Sequence, residues 1–154
     1  ALLRRFVPET SIEWALSQIG ECILAENRTG GTVVYIEDDL DVIQLVQLIL
    51  GSHGFKVFGA VGGKEGLDMV RRIKPDVVLL DLMMPEIDGW DVYKAMKSDS
   101  ELSHIPVIVI TVKSGRSDRM LGLHVFRVDD YISKPFSMQR LLNSVDRVLS
   151  ARSE

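Results

Sequence analysis

The stretch Pro75-Asp-Val-Val-Leu-Leu-Asp81-Leu-Met-Met-Pro-Glu-Ile-Asp88-Gly89 decides how the rest of the chain is read. Val77 to Leu80 is an unbroken apolar run, the kind that fills a parallel strand covered on both faces. It stops at a carboxylate, Asp81, and Pro85 and Gly89 punctuate the loop that follows. Open α/β sheets place their ligand sites at the carboxyl ends of strands, where Asp81 falls. An Asp after a single strand can equally cap the next helix, so the other strand ends decide its meaning.

Working outward, strands and helices alternate. Residues 32–36 are apolar and β-branched, and a helix over 39–52 follows with Val42, Ile43, Val46, Ile49 and Leu50 inward. Gly54 suits the stop after that helix, and His53 near its C-terminus is explained by the helix dipole. A strand over 55–61 precedes a helix over 64–73 with Leu67, Val70 and Ile73 as its core stripe. After the central strand come a short helix over 90–97 and the most hydrophobic strand, over 105–110. A helix over 117–125, a short strand over 131–133 and a last helix opened by Ser137 complete the series. Five such units imply right-handed crossovers and one parallel sheet covered on both sides. The expected fold is a flavodoxin-like doubly wound sheet of strand order 2-1-3-4-5.

Residues 8–27 predict one additional N-terminal helix, with Thr10 and Glu13 as a capping-box pair. Ile12, Ala15, Leu16, Ile19, Cys22 and Ile23 share one face, with Trp14 opposite. Arg28-Thr-Gly-Gly31 then reads as a linker, giving a helix and linker over 1–31 and a main domain over 32–154. The helix either packs on that domain or pairs two copies of the chain as a homodimer.

Composition narrows the function classes. At 154 residues the chain holds one domain with a real core, and 46% hydrophobic residues suit a soluble one. No apolar run approaches the roughly 20 residues that span a bilayer, and no h-region follows Arg4 and Arg5. A net charge of -4 without a basic block disfavours direct nucleic-acid binding. Cys22 stands alone, which suits a reducing cytoplasm. The missing initiator Met suggests a processed or excised fragment, and 31 N-terminal residues are too few for a DNA-binding domain.

Each strand end contributes chemistry. The first ends in Glu37-Asp38-Asp39, the third in Asp81, the fourth in Thr111 and the fifth in Lys134-Pro135. In the order 2-1-3-4-5 the first and third strands are neighbours, so Glu37, Asp38 and Asp81 meet. Three adjacent carboxylates repel, and without a cation at least one pKa rises. Mg²⁺, which takes six oxygens and keeps several waters, relieves that conflict. Lys134 supplies a compact cation for Asp81 or for a charged group attached to it, and Thr111 a hydroxyl. An Asp nucleophile, a metal, an ammonium and a hydroxyl suit phosphoryl transfer to a carboxylate.

With those residues in place, the chain closely resembles the receiver domain of bacterial two-component response regulators. The matching pieces are Ile36-Glu-Asp-Asp39, Leu80-Asp-Leu-Met-Met-Pro-Glu-Ile-Asp-Gly89, Val109-Ile-Thr111 and Asp129-Asp-Tyr-Ile-Ser-Lys-Pro-Phe136, in matching order over about residues 32–150. The resemblance implies that Asp81 accepts a phosphoryl group from a phosphohistidine of a sensor histidine kinase or phosphotransfer protein. It implies a metal site of Glu37, Asp38, Asp81 and Met83, in which Asp38 ligates Mg²⁺ directly, Glu37 through water, and Met83 through its backbone carbonyl. Asp39 is the cap of the first helix. Thr111 and Tyr131 form the switch pair, the hydroxyl moving to the phosphoryl group and the ring following inward. Lys134 pairs with a phosphoryl oxygen, and Pro135 is a candidate cis bond. The chain is then a cytoplasmic signalling domain rather than an enzyme, speaking to a downstream output protein or domain.

Two departures stand out. Val112 follows the switch hydroxyl where the family commonly has a small residue, and it narrows access to the phosphoryl site. Phe126-Arg127-Val128 stands where Gly-Ala is usual before Asp129-Asp130, with about one extra residue ahead of it. Gly59-Ala-Val-Gly-Gly-Lys64 is a turn before a helix rather than a phosphate loop, its spacing being short and Glu65 replacing Ser/Thr. The alternatives are a phosphorylation-independent binding module of this shape and an aspartyl-phosphate hydrolase. Against the latter, this chain has Met83 where such phosphatases carry a second Asp two residues after the nucleophile.

Overall fold

Short apolar runs alternating with amphipathic segments leave few ways to bury both, and the chain takes the parallel one. The computed structural model describes residues 30–112, 116 and 120–153, the side chains of 121, 122 and 153 aside. The expected helix over 8–27, with its capping pair and Trp14, lies outside the described residues.

Five parallel strands run in the order β2-β1-β3-β4-β5: β1 Gly31–Glu37, β2 Phe55–Val61, β3 Val77–Leu80, β4 Val107–Thr111 and β5 Asp130–Ser133. Four α-helices and one π-helical turn, Leu121–Val125, complete the described elements, the helices being α1 Leu40–Gly51, α2 Gly63–Ile73, α3 Gly89–Ser98 and α4 Met138–Ser153. The period of two along each strand divides the core. Val33, Tyr35, Leu79, Ile108 and Ile132 face the side of α1 and α4, and pack with Val46, Leu50, Leu141 and Val145. Val34, Ile36, Leu80, Val109 and Tyr131 face the other side, toward Val70, Val92 and Met96. Each such buried aliphatic side chain contributes roughly 1.5–3 kcal/mol. The expected sheet order and both layers are present. Among the described residues, no helix is long and apolar enough to cross a membrane.

Caps set the helix starts. Asp39 takes the amide of Asp41 at 2.9 Å ahead of α1, Asp88 that of Trp90 at 3.0 Å ahead of α3, and Ser137 that of Arg140 at 3.1 Å ahead of α4. His53 Nδ1 lies 3.1 Å from the carbonyl of Ile49, at the end of α1. The segment over 59–64 is the end of β2, a turn at Gly62 with φ 96, and the first residues of α2.

Two expectations need correction. The fourth strand begins at Val107, not at 105. Pro106 has no N–H for a ladder, and the amide of Ile105 closes a turn on Leu102 at 3.0 Å. The described end of the expected helix over 117–125 is a π-helical turn, Leu121–Val125, followed by Arg127 at φ 58. A wider turn absorbs a surplus residue in a helix. Phe126 is then drawn onto α3. Its ring stacks on Trp90 with centroids 4.3 Å apart, and its carbonyl accepts the Tyr93 hydroxyl at 2.5 Å. Lys94 stands over the same ring at 5.6 Å.

Candidate functional site

In a parallel sheet all strand ends share one edge, and backbone bonds place the loops there. The amide of Asp81 donates to the carbonyl of Ile36 at 3.0 Å, setting the ends of β1 and β3 side by side. The amide of Lys134 donates to the carbonyl of Thr111 at 2.9 Å, which carries the lysine over the same edge. Its peptide bond to Pro135 is cis, as expected. Gly89 closes the loop beneath Asp81: a Cβ there would lie 2.5 Å from the Asp81 carbonyl oxygen and from Leu82 Cα. No other residue tolerates that approach without moving the loop.

Carboxylate oxygens of Glu37, Asp38 and Asp81 lie within 4.8 Å of one another. Glu37 is 1% exposed and Asp81 3% exposed, whereas Asp38 faces solvent. Lys134 donates to Asp81 Oδ2 at 3.3 Å and makes a closer bond to Glu37 Oε2. Asp81 Oδ1 accepts the amide of Met83 at 3.0 Å, so the Asp81 carboxylate is held from both sides. Glu37 takes three further donors: the Tyr35 hydroxyl on Oε2 at 2.8 Å, and the amides of Asp38 and Asp39 on Oε1 at 3.1 and 3.4 Å.

The electrostatics follow. The Glu37 carboxylate beside it, then partial burial, push Asp38 above the usual carboxylate range. Burial works against the Lys134 ammonium, but Glu37 and Asp81 outweigh it and raise its pKa. Burial, then Glu37, hold the Tyr35 hydroxyl protonated well beyond its ordinary range. A raised pKa, expected for such a trio, is present at Asp38, chiefly through hydrogen bonding with the Glu37 carboxylate. An all-oxygen trio of this compactness fits a hard divalent cation such as Mg²⁺. An open cleft of about 500 Å³ lies beside it, lined by Asp38, Met83, Pro85 and Asp88 among others.

The other expected residues fall nearby. Thr111 is buried at the end of β4, and Val112 is 56% exposed directly after it. Tyr131, two residues before Ser133 on β5, is fully buried among Val109, Val128 and the partly buried Phe126. The Met83 side chain is 51% exposed. Asp39, which bonds Asp41, is a cap as expected.

Sequence reasoning missed three things here. Lys134 was expected at Asp81, yet its closer acceptor is Glu37. Tyr35 was read only as strand, although it stands two residues before Glu37 and so shares its face. That spacing was the available signal. Asp130 was read only as part of a motif. It is buried, takes Arg140 at 2.9 Å, Arg147 at 2.6 Å and Ser144 at 2.5 Å, and ties β5 to α4.

Comparison with known proteins agrees with this geometry. Residues 33–146 match the response regulator receiver domain family. An uncharacterized transcriptional regulatory protein, YcbL, from Bacillus subtilis is 42% identical over 106 residues, covering 69% of this chain and 45% of that protein. The probable transcriptional regulator ycf27 of Porphyridium aerugineum is 36% identical over 117 residues, covering 76% of this chain and 47% of that protein. The chain thus spans about half the length of these two curated relatives. Among solved structures, the receiver domain of Francisella response regulator 1452 superposes with TM-score 0.73 at 27% identity, covering 80% of this chain and 99% of that one. The BeF3-activated N-terminal receiver domain of Klebsiella pneumoniae RstA gives 0.70 at 29% identity, covering 77% and 97%.

Proposed function

Because this chain belongs to the response regulator receiver domain family, we propose that it is a phosphorylation switch with Asp81 as phosphoacceptor. The observation that carries the reading is the contact of Lys134 with Glu37 and Asp81 at the joined ends of β1, β3 and β5, beside Asp38. A carboxylate oxygen of Asp81 attacks the phosphorus of a phosphohistidine whose other ring nitrogen is protonated, the P–N bond breaks, and neutral imidazole leaves with the bonding pair. Asp81 is suited to this by the Met83 amide and the Lys134 ammonium, which hold it in one orientation before the donor arrives. Asp38 would hold Mg²⁺ directly, Glu37 through water and Met83 through its carbonyl. When bound, the ion neutralises charge on the phosphoryl oxygens during transfer.

After transfer, Lys134 and Thr111 bond the new oxygens, and that differential contact biases a pre-existing equilibrium between two conformers. Tyr131 reports the change as the aromatic partner of Thr111. The partners are then a histidine kinase or phosphotransfer protein on one side, and an output protein or domain on the other. The named relatives, matched over about half their length and described as transcriptional regulators, support an output of that kind. The same reading divides the chain into a helix and linker over 1–31 and the receiver unit over 32–154.

The test is intact mass after incubation with a small acyl phosphate, with and without Mg²⁺, for wild type and Asp81→Asn. Wild type should gain one phosphoryl group only with Mg²⁺, and Asp81→Asn none. Equal uptake by the variant would sink the assignment.

A further inference from the structure

We infer that Tyr35 is a positioning residue for the metal chemistry of this site, an inference that rests on the reading just given. A carboxylate offers about four lone-pair directions, and in Glu37 each has a donor. Oε1 takes the amides of Asp38 and Asp39 at 3.1 and 3.4 Å, and Oε2 takes the Tyr35 hydroxyl at 2.8 Å together with the Lys134 ammonium. These donors differ in freedom. The two amides belong to the turn between β1 and α1 and move only with it. Tyr35 lies fully buried in β1, its ring packed in the same cluster as Ile43, Leu79 and Ile108. Lys134 stands on a flexible four-carbon stem after β5 and has a second acceptor in Asp81 at 3.3 Å.

Lys134 is therefore the exchangeable donor and Tyr35 the permanent one. When the ammonium turns wholly toward Asp81 or a group attached to it, Oε2 gives up one of its two donors. The phenol keeps the carboxylate in place, with the freed lone pair aimed into the cluster and open to a metal-bound water. Without the hydroxyl, Glu37 is oriented on that oxygen only by Lys134, and follows the lysine instead of staying with the cation. Outer partners of metal-binding groups, when removed, weaken metal affinity by about 10–100-fold. A single hydroxyl acting through a water-mediated carboxylate belongs at the lower end, about tenfold.

The experiment measures Mg²⁺ affinity of the full chain by titration calorimetry, without phosphodonor, for wild type, Tyr35→Phe, Glu37→Gln and the double variant. Tyr35→Phe keeps the ring and its packing, and should bind Mg²⁺ about tenfold more weakly than wild type. On the Glu37→Gln background the same change should alter affinity less than about twofold, because the hydroxyl acts through the carboxylate. Unchanged Mg²⁺ affinity in Tyr35→Phe, with only a lowered thermal midpoint, assigns the hydroxyl to packing and overturns the inference. Equal losses on both backgrounds overturn it too. A wild type that binds no Mg²⁺ overturns the metal reading and this inference with it, so the two failures are distinct. If Tyr35→Phe does not fold, the buried hydroxyl proton of wild type serves in its place, read by NMR. Its shift on adding Mg²⁺ supports the role, and an unmoved resonance overturns it.

Discussion

Replacing Lys134 with Met keeps most of the stem and removes the cation that, among the described residues, pairs with both Glu37 and Asp81. The two carboxylates it leaves behind are almost wholly out of water. Deleting one partner of a buried ion pair costs about 3–5 kcal/mol, because the other charge stays buried and uncompensated. The Lys134 side chain is 17% exposed, so water reaches the gap and the loss belongs near 3 kcal/mol. Domain stabilities run about 5–15 kcal/mol, so Lys134→Met still folds. With a urea slope of about 1–3 kcal/mol/M, its midpoint at pH 7 should fall by about 1–3 M.

The pH dependence of that deficit is diagnostic. With the lysine gone, two buried carboxylates face each other without a cation, and protonating one of them relieves their repulsion in the folded variant, so its stability rises as pH falls from 7 to 5. Its deficit against wild type should narrow over that range. Added Mg²⁺ should narrow it as well, by about 1.4 kcal/mol for each tenfold by which the variant binds the ion more tightly than wild type. Urea unfolding followed by circular dichroism, at pH 7 and pH 5 and with chelator or Mg²⁺, reads every term. A variant as stable as wild type in chelator at pH 7, with no gain on acidification, refutes the reasoning.

Asp130 predicts the opposite pH behaviour. Burial raises its pKa, but Arg140 and Ser144 outweigh that and hold it down to about 2 from an ordinary 3.8. Its contribution is complete above pH 3.8 and is lost as pH falls through 2, a difference of about 2 kcal/mol. Calorimetric melting from pH 5 to 2 should show wild type losing that much more than Asp130→Asn, and parallel acid slopes would refute it. Asp39→Ala should cost about 1 kcal/mol as a lost cap and leave Mg²⁺ affinity unchanged, since its carboxylate is turned to the Asp41 amide. A weakened Mg²⁺ titration in that variant would make Asp39 a ligand instead.

Much of this protein was legible before any coordinates. Apolar runs at 32–36, 55–61 and 77–80, separated by segments with helical stripes, admit a parallel doubly wound sheet and little else. That order makes β1 and β3 neighbours, so the meeting of Glu37, Asp38 and Asp81 is a consequence of topology, not of side-chain detail. The caps at Asp39 and Ser137 were likewise readable, because capping is local chemistry. Boundaries shifted where a local rule was overlooked, as at Pro106.

What only the tertiary structure decided is which partner each charged group takes. Lys134 bonds Glu37 more closely than Asp81, although both acceptors lie far from it in sequence, because the end of β1 stands between the ends of β2 and β3 and receives the lysine from β5. Tyr35 acquires a polar task because strand periodicity sets it on the face of Glu37, and burial removes the water that would otherwise satisfy its hydroxyl. Phe126 packs on Trp90 just beyond the π-helical turn Leu121–Val125, a choice among turn types that composition does not encode. Sequence determines the pattern of burial, since water and the backbone period act on every residue alike. Pairing inside that pattern depends on distances that exist only after the chain has closed.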